Sequence, residues 1–167
     1  MECLHVYSRG LRMIRLVWVV ALVTSTVSAG EAGDDLKYLA EAIYFEARSE
    51  PLACQIIVAQ TILNRVSQSR FEDSVEGVVH QKKWSETLNR SVCQYSYFCD
   101  GKPDILQNTK AELVAYQVAS MVLLRQIPDL SEGADHYYAH EITTPSWEPS
   151  LEATFVCDKH TFGILNW

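Results

Sequence analysis

The chain has 167 residues, 48% of them hydrophobic, with no low-complexity tract and no internal repeat, which suits one compact globular domain. Its formal net charge of −7 is the opposite of the basic footprint that a nucleic-acid binder carries. It also argues against electrostatic capture of an anionic polymer, so recognition has to rest on contacts in a groove.

At the N-terminus, Arg9, Arg12 and Arg15 precede the apolar run Leu16 to Val23, and Val27, Ser28 and Ala29 supply small residues of the kind a signal peptidase cleaves after. A signal peptide over residues 1–29 and a mature domain over 30–167 are expected, with export across the inner membrane to the periplasm or cell wall. The apolar run is too short to span a bilayer comfortably, so no stable membrane span is expected once it is removed. The rival is a retained N-terminal anchor. Met13 by itself would begin a more usual signal peptide. Removing residues 1–29 takes away three Arg and one Glu, leaving 11 basic and 20 acidic residues and a net charge of −9.

Export makes the cysteines informative. With Cys3 gone, Cys54, Cys93, Cys99 and Cys157 remain, an even number suited to an oxidising compartment. Cys93 and Cys99 flank the short loop QYSYF, and closing it is worth about 2 kcal/mol in the chain-entropy account. Cys54 with Cys157 follows only by elimination, and the alternative is a free Cys54 packing as a small hydrophobe on its apolar helix. No C-x-x-C spacing points to a zinc ribbon.

Between Leu36 and Ala47 the apolar residues Leu36, Leu39, Ala40, Ile43 and Ala47 recur at three- and four-residue spacing, the pattern of a helix with one buried face. Pro51 disfavours helix at Glu50 and suits the first turn of a new helix, so the first should stop near Arg48. Glu46 and Glu50 thus flank a helix break. A carboxylate beside the apolar stripe at such a break is partly desolvated, which raises its pKa toward the range of a general acid. The alternative is a solvated helix end with an Arg48–Glu50 surface pair.

The second helix should run from Pro51 to about Ser67, apolar over so wide an arc that it must be central. Asp73 and Glu76 read as the cap of a short helix ending at His80. Gln81 to Asn108 has no period and carries Trp84, Tyr95, Tyr97 and Phe98 among polar residues. Such a loop either stacks aromatic rings on a sugar or packs them onto the core. Thr109 to Glu112 reads as a capping box, with helix continuing to Gln126 before Pro128. HYYAHEIT and ATFVCDKHTF are rich in aromatic and β-branched residues and should form strands of a small sheet.

Four blocks in order, AIYFEARSEP with QIIVAQTILNRV, GVVHQ (77–81), CQYSYFCDGKPD (93–104) and GADHYYAHEITTPSW (133–147), resemble the cell-wall hydrolase family of spore-cortex-lytic enzymes (SleB and CwlJ type). The resemblance covers nearly everything after the N-terminal segment. It implies an α+β, lysozyme-like fold, mostly helical with a small antiparallel sheet near the C-terminus. It also implies that Glu46 is the catalytic acid, and that Gln94, Tyr95, Ser96, Tyr138 and Trp147 line the substrate groove. Ser49 stands where the family pattern has Gly, and a left-handed turn there would strain it.

On this basis the chain is expected to be a peptidoglycan glycosidase acting as a monomer on glycan strands. The expected reaction is that of a lytic transglycosylase with one catalytic Glu and no metal or organic cofactor. Two readings compete. His136, His140 and His160, with Glu141 nearby, could ligate the metal of an N-acetylmuramoyl-L-alanine amidase, although their spacing is not H-E-x-x-H. A non-catalytic wall-binding module is the other.

Overall fold

The computed structural model describes residues 29–86 and 88–166. The expected signal segment lies outside the described residues. Helix α1 (Ala29–Ala47) begins seven residues before the apolar stripe that marks it in the sequence. It buries Leu39, Ala40, Ile43 and Ala47 on that stripe, together with Ala42 and Tyr44, and packs against three other helices: α2 (Leu52–Val66), α3 (Val75–Val79) and α4 (Thr109–Leu123).

Helix α2 is the central element. Ten of its 15 residues are buried, including the polar Gln55, Gln60, Thr61 and Arg65. A polar group that deep must be hydrogen-bonded to be tolerated. Gln60 donates to Pro128 O at 2.7 Å and accepts from Leu130 N–H at 2.8 Å, which fixes the chain after α4. Thr61 donates back to Ile57 O at 2.8 Å.

Three helix ends differ in detail from the sequence expectation. α3 is capped by Ser74, whose hydroxyl accepts from Gly77 N–H, and α4 by Asn108, whose side chain accepts from Ala111 N–H. Each is one position from the residue that the box pattern selects. α4 also stops at Leu123 instead of Gln126, because Arg125 takes a left-handed conformation (φ 52°) and Gln126 N–H turns back to Met121 O at 2.9 Å.

The segment without a period contains an antiparallel hairpin, β1 (Lys82–Ser85) with β2 (Arg90–Cys93), in register Lys82–Cys93 to Ser85–Arg90. Its residues are almost all exposed on both faces, so no inside-outside alternation is written into them. A single 3-10 turn, Ser96–Cys99, follows.

The second sheet has three antiparallel strands in the order β3 (His136–Ala139), β5 (His160–Leu165), β4 (Leu151–Cys157). ATFVCDKHTF contributes to two strands, folded back through Asp158 and Lys159 with Asp158 at φ 48°. Gly163 sits in the middle strand opposite both His136 and Ala153, and a Cβ there would collide with the Glu152 carbonyl and the Leu151 side chain. The fold is therefore α+β and lysozyme-like, as expected, with the helices carrying most of the core.

Disulfides Cys54–Cys157 and Cys93–Cys99, with Cα separations of 5.6 and 6.0 Å, tie the start of α2 to the β4–β5 hairpin and close the QYSYF loop. Among the described residues no helix is long and apolar enough to cross a membrane.

Candidate active site

The last turn of α1, the last turn of α2, the segment after β2, strand β3 and the loop from β3 to β4 converge on a cleft of about 280 Å³. Glu46, Arg65, Gln94, Tyr95, Tyr137, Tyr138 and Trp147 contribute to its walls, with Ala139, Thr143, Pro145 and His160 at its edges.

Glu46 reaches this cleft because helix α1 ends one residue later, at Ala47, and the chain turns through Glu50 N–H to Ala47 O at 2.9 Å before Pro51 opens α2. Ser49 is not among the residues with left-handed φ, so Ser for Gly carries no backbone strain here. Burial pushes the Glu46 carboxyl above the ordinary glutamate value. A hydrogen bond from Tyr137 and the charge of Arg65 pull the other way without cancelling it. The Tyr137 hydroxyl donates to Glu46 Oε2 at 3.3 Å. Its own pKa is pushed well above 10 by burial and by Glu46, so it remains a neutral donor.

Beneath the carboxyl lies a buried cation. Arg65 is 1% exposed and donates through Nε to Asp135 O at 2.5 Å and through Nη1 to Tyr95 Oη at 3.1 Å, with its guanidinium against the rings of Phe71 and Tyr95. Asp135, also buried, gathers the far side. It accepts from Leu165 N–H and His136 Nδ1, and it pairs with Arg70. Burial alone would raise the Asp135 pKa, but these partners hold it down. His136 is lowered by burial despite Asp135, so the pair is a carboxylate beside a neutral imidazole.

The residues singled out in the sequence fall into distinct positions. Glu46, Gln94, Tyr138 and Trp147 line the cleft, and Trp147 meets Tyr138 edge-on at 5.7 Å and His136 at 5.4 Å. Tyr95 lines it too, but at 1% exposure with its hydroxyl on Arg65 it is part of the floor and offers no free face for a sugar. Ser96 opens the 3-10 turn and lies outside the lining. The Arg48–Glu50 surface pair does not form: Arg48 turns back to Tyr44 O at 3.4 Å and lies over the Tyr44 ring.

His136 lies on strand β3, but His140 falls beyond its end. β3 ends at Ala139, whose carbonyl accepts from both Ile142 and Thr143 N–H, so His140 lies in a turn. There its Nδ1 is 3.1 Å from Thr161 Oγ1, while His136 is committed to Asp135. Among the described residues no three His, Cys, Asp or Glu side chains gather as a metal site.

Sequence reasoning passed over Arg65 and Tyr137. Arg65 could have been found, since it follows Val58 and Ile62 along the buried face of α2, where a charged residue interrupts an apolar stripe. Tyr137 adjoins Tyr138, and composition cannot say which of two neighbouring tyrosines touches a given carboxyl.

The sequence profile of the family described as Cell Wall Hydrolase matches residues 49–163. The chain belongs to the cell wall hydrolase family. Glu46 lies three residues ahead of the matched span. A spore cortex-lytic enzyme of Oceanobacillus iheyensis is 40% identical over 136 residues, 81% of this chain and 44% of that protein. One from Halalkalibacterium halodurans is 28% identical over 138 residues, 83% of this chain and 37% of that protein. The chain thus spans less than half the length of these curated relatives.

Two solved structures share the fold of this chain at a TM-score of 0.61. The catalytic domain of the Bacillus cereus SleB protein is 24% identical, covering 84% of this chain and 97% of that one. The catalytic domain of the germination-specific lytic transglycosylase SleB from Bacillus anthracis is 25% identical, covering 82% and 99%.

Proposed function

We propose that this cell wall hydrolase is an exported peptidoglycan glycosidase, acting as a monomer in the periplasm or cell wall, and that it cleaves the bond between N-acetylmuramic acid and N-acetylglucosamine as a lytic transglycosylase. The observation that carries this reading is the solitary carboxyl of the cleft. Glu46 is half-buried, raised in pKa and held by Tyr137, and no second carboxylate is among the lining residues. Glu50, four residues on, is directed to Asp158 instead. Hydrolysis with retention or inversion normally uses two carboxyls across the scissile bond. A single one suffices when the substrate supplies the nucleophile.

The steps follow from that. Protonated Glu46 gives its proton to the glycosidic oxygen as the bond from that oxygen to C1 of the muramic residue breaks. The substrate's own acetamido oxygen stabilises the cation developing at C1. The Glu46 carboxylate, now accepting from Tyr137, takes the proton of the muramic C6 hydroxyl, and O6 closes on C1 to give a 1,6-anhydro ring. Glu46 ends as it began, and no cofactor enters. The half-buried Trp147 and Tyr138 offer aromatic surface for the sugar rings, with the exposed Gln94 amide within the same cleft.

Mass spectrometry of soluble products from purified peptidoglycan tests this reading. The expected products are muropeptides lighter by one water and ending in 1,6-anhydromuramic acid, absent with Glu46→Gln. Reducing sugar ends would replace the transglycosylase with a hydrolase, and free stem peptides would reject the glycosidase altogether.

A further inference from the structure

A second cavity of about 280 Å³ has Tyr97 in its wall, close enough to the cleft to feel the charge of Glu46. Where Glu46 and Tyr95 line the first, the neighbouring Phe45 and Tyr97 line the second, stacked at 4.5 Å and 18°. Arg48 and Tyr44 of α1 complete one side, and the loop through Lys102, Asp104 and Ile105 the other.

Its chemistry is unlike that of the cleft. Arg48 is exposed and has no carboxylate partner among the described residues, although the chain as a whole is acidic. The contacts of its guanidinium with the Tyr44 carbonyl and ring hold it in place before any ligand arrives. Tyr44 is itself fixed, because its hydroxyl accepts from Gln107 N–H at 3.2 Å and Asn108 N–H at 3.1 Å. Tyr97 is 7% exposed, and its buried hydroxyl has no hydrogen-bond partner among the described residues, a cost that a ligand could offset. Asp104 is half-buried with no ion-pair partner among the described residues, Lys102 is paired with Asp100 at 3.2 Å, and Ile105 is 61% exposed.

One cation held without a carboxylate partner, one carboxylate without an ion-pair partner among the described residues, and an exposed aliphatic side chain in the same lining do not suit a neutral sugar. They suit a short peptide carrying a free carboxylate, a free ammonium and small apolar side chains. We propose that this cavity binds the peptide branch of the glycan strand, its carboxylate on Arg48 and its ammonium on Asp104, so that the enzyme distinguishes peptide-bearing strands from bare ones. This rests on the glycan-strand reading above. Three extended residues reach about 10 Å, comparable with the width of a helix, which is the scale a branch needs to round the end of α1 from the side of Glu46 to that of Arg48.

The test has a binding arm and a kinetic arm. In the first, a tripeptide of L-alanine, γ-linked D-glutamate and diaminopimelate is titrated into the Glu46→Gln chain and followed by NMR. Saturable shifts at Arg48, Asp104 and Ile105 are expected, lost with Arg48→Gln and weakened by salt, while a chitooligosaccharide shifts the cleft residues instead. In the second, kcat/KM is compared on strands with their peptides and on strands stripped by an amidase. Wild type should prefer the former, and Arg48→Gln should lower that ratio roughly three- to tenfold. No tripeptide shifts at the cavity, or an equal loss on both strands with Arg48→Gln, overturns the inference. Tripeptide binding with neither strand cleaved would instead overturn the glycosidase reading alone.

Discussion

Glu46 and Glu50 lie four residues apart on the two sides of one helix break, and both carboxyls are pushed above the ordinary glutamate value, but for different reasons. For Glu46 burial dominates, and its neighbours, Tyr137 and Arg65, favour the ionised form. For Glu50 burial is joined by a second carboxyl, Asp158, and Oε2 is buried without a hydrogen-bond partner among the described residues. The first faces a cleft wide enough for a ligand. The second is wedged where the start of α2 meets the β4–β5 hairpin, beside the disulfide that joins them. A raised pKa therefore marks a catalytic candidate only when the group faces free space and its neighbours can serve both protonation states.

Exchanging each carboxyl for an amide breaks that comparison most directly. Glu46→Gln should reduce wall lysis by about 10³-fold, the scale of a lost general acid and base, with no fall in melting temperature. Glu50→Gln should leave lysis intact. If the two variants lost activity alike, the division between cleft and wedge would collapse. The wedge has its own large effect. Cys54→Ser with Cys157→Ser opens a loop of sequence separation 103, and urea unfolding should show a loss of about 3–5 kcal/mol. Cys93→Ser with Cys99→Ser, a separation of six, should cost about 2 kcal/mol.

How much of this was legible before folding depends on the range of each interaction. The helix break at Pro51 and the burial of α2 are local or periodic, and both can be read from residues 36–66. The Cys54–Cys157 pair is long-range, yet counting isolates it once Cys93 and Cys99 are matched. The network under Glu46 was not legible. Arg65, Tyr95 and Tyr137 come from three elements up to 72 positions apart, and each looks locally like a helix end, a loop aromatic and a strand residue. Tyr95 shows the limit most clearly: its composition suited a stacking surface, but the hydrogen bond from Arg65 commits it to the floor. The β1–β2 hairpin was missed because its exposed residues carry no alternation.

Tyr137→Phe sharpens the account of Glu46. The hydroxyl hydrogen-bonds to the carboxyl and lowers its pKa. Removing it should move the alkaline limb of kcat/KM to higher pH, because the proposed mechanism needs Glu46 protonated, while kcat falls about tenfold as the carboxyl loses its tether. A lower rate with an unmoved limb would mean that Tyr137 only packs.

The smallest effect concerns the wedge. Because the folded-state pKa of Glu50 is raised, the native chain holds its proton more tightly than the unfolded chain does. Its contribution is fully present below the unfolded glutamate pKa and is lost as pH rises through the folded value. Above that, ionised Glu50 confronts Asp158 and destabilises the fold. Glu50→Gln removes the dependence, so its stability relative to wild type should be lowest in acid and should increase with pH. The gain near pH 7 should be under about 1 kcal/mol, because the hairpin side of the pair is exposed and screened. Urea midpoints at intervals from pH 3.5 to 8 would show it. Parallel curves for the two proteins would mean that water already relieves the pair, leaving burial at Glu46 as the one carboxyl shift at this break with a consequence.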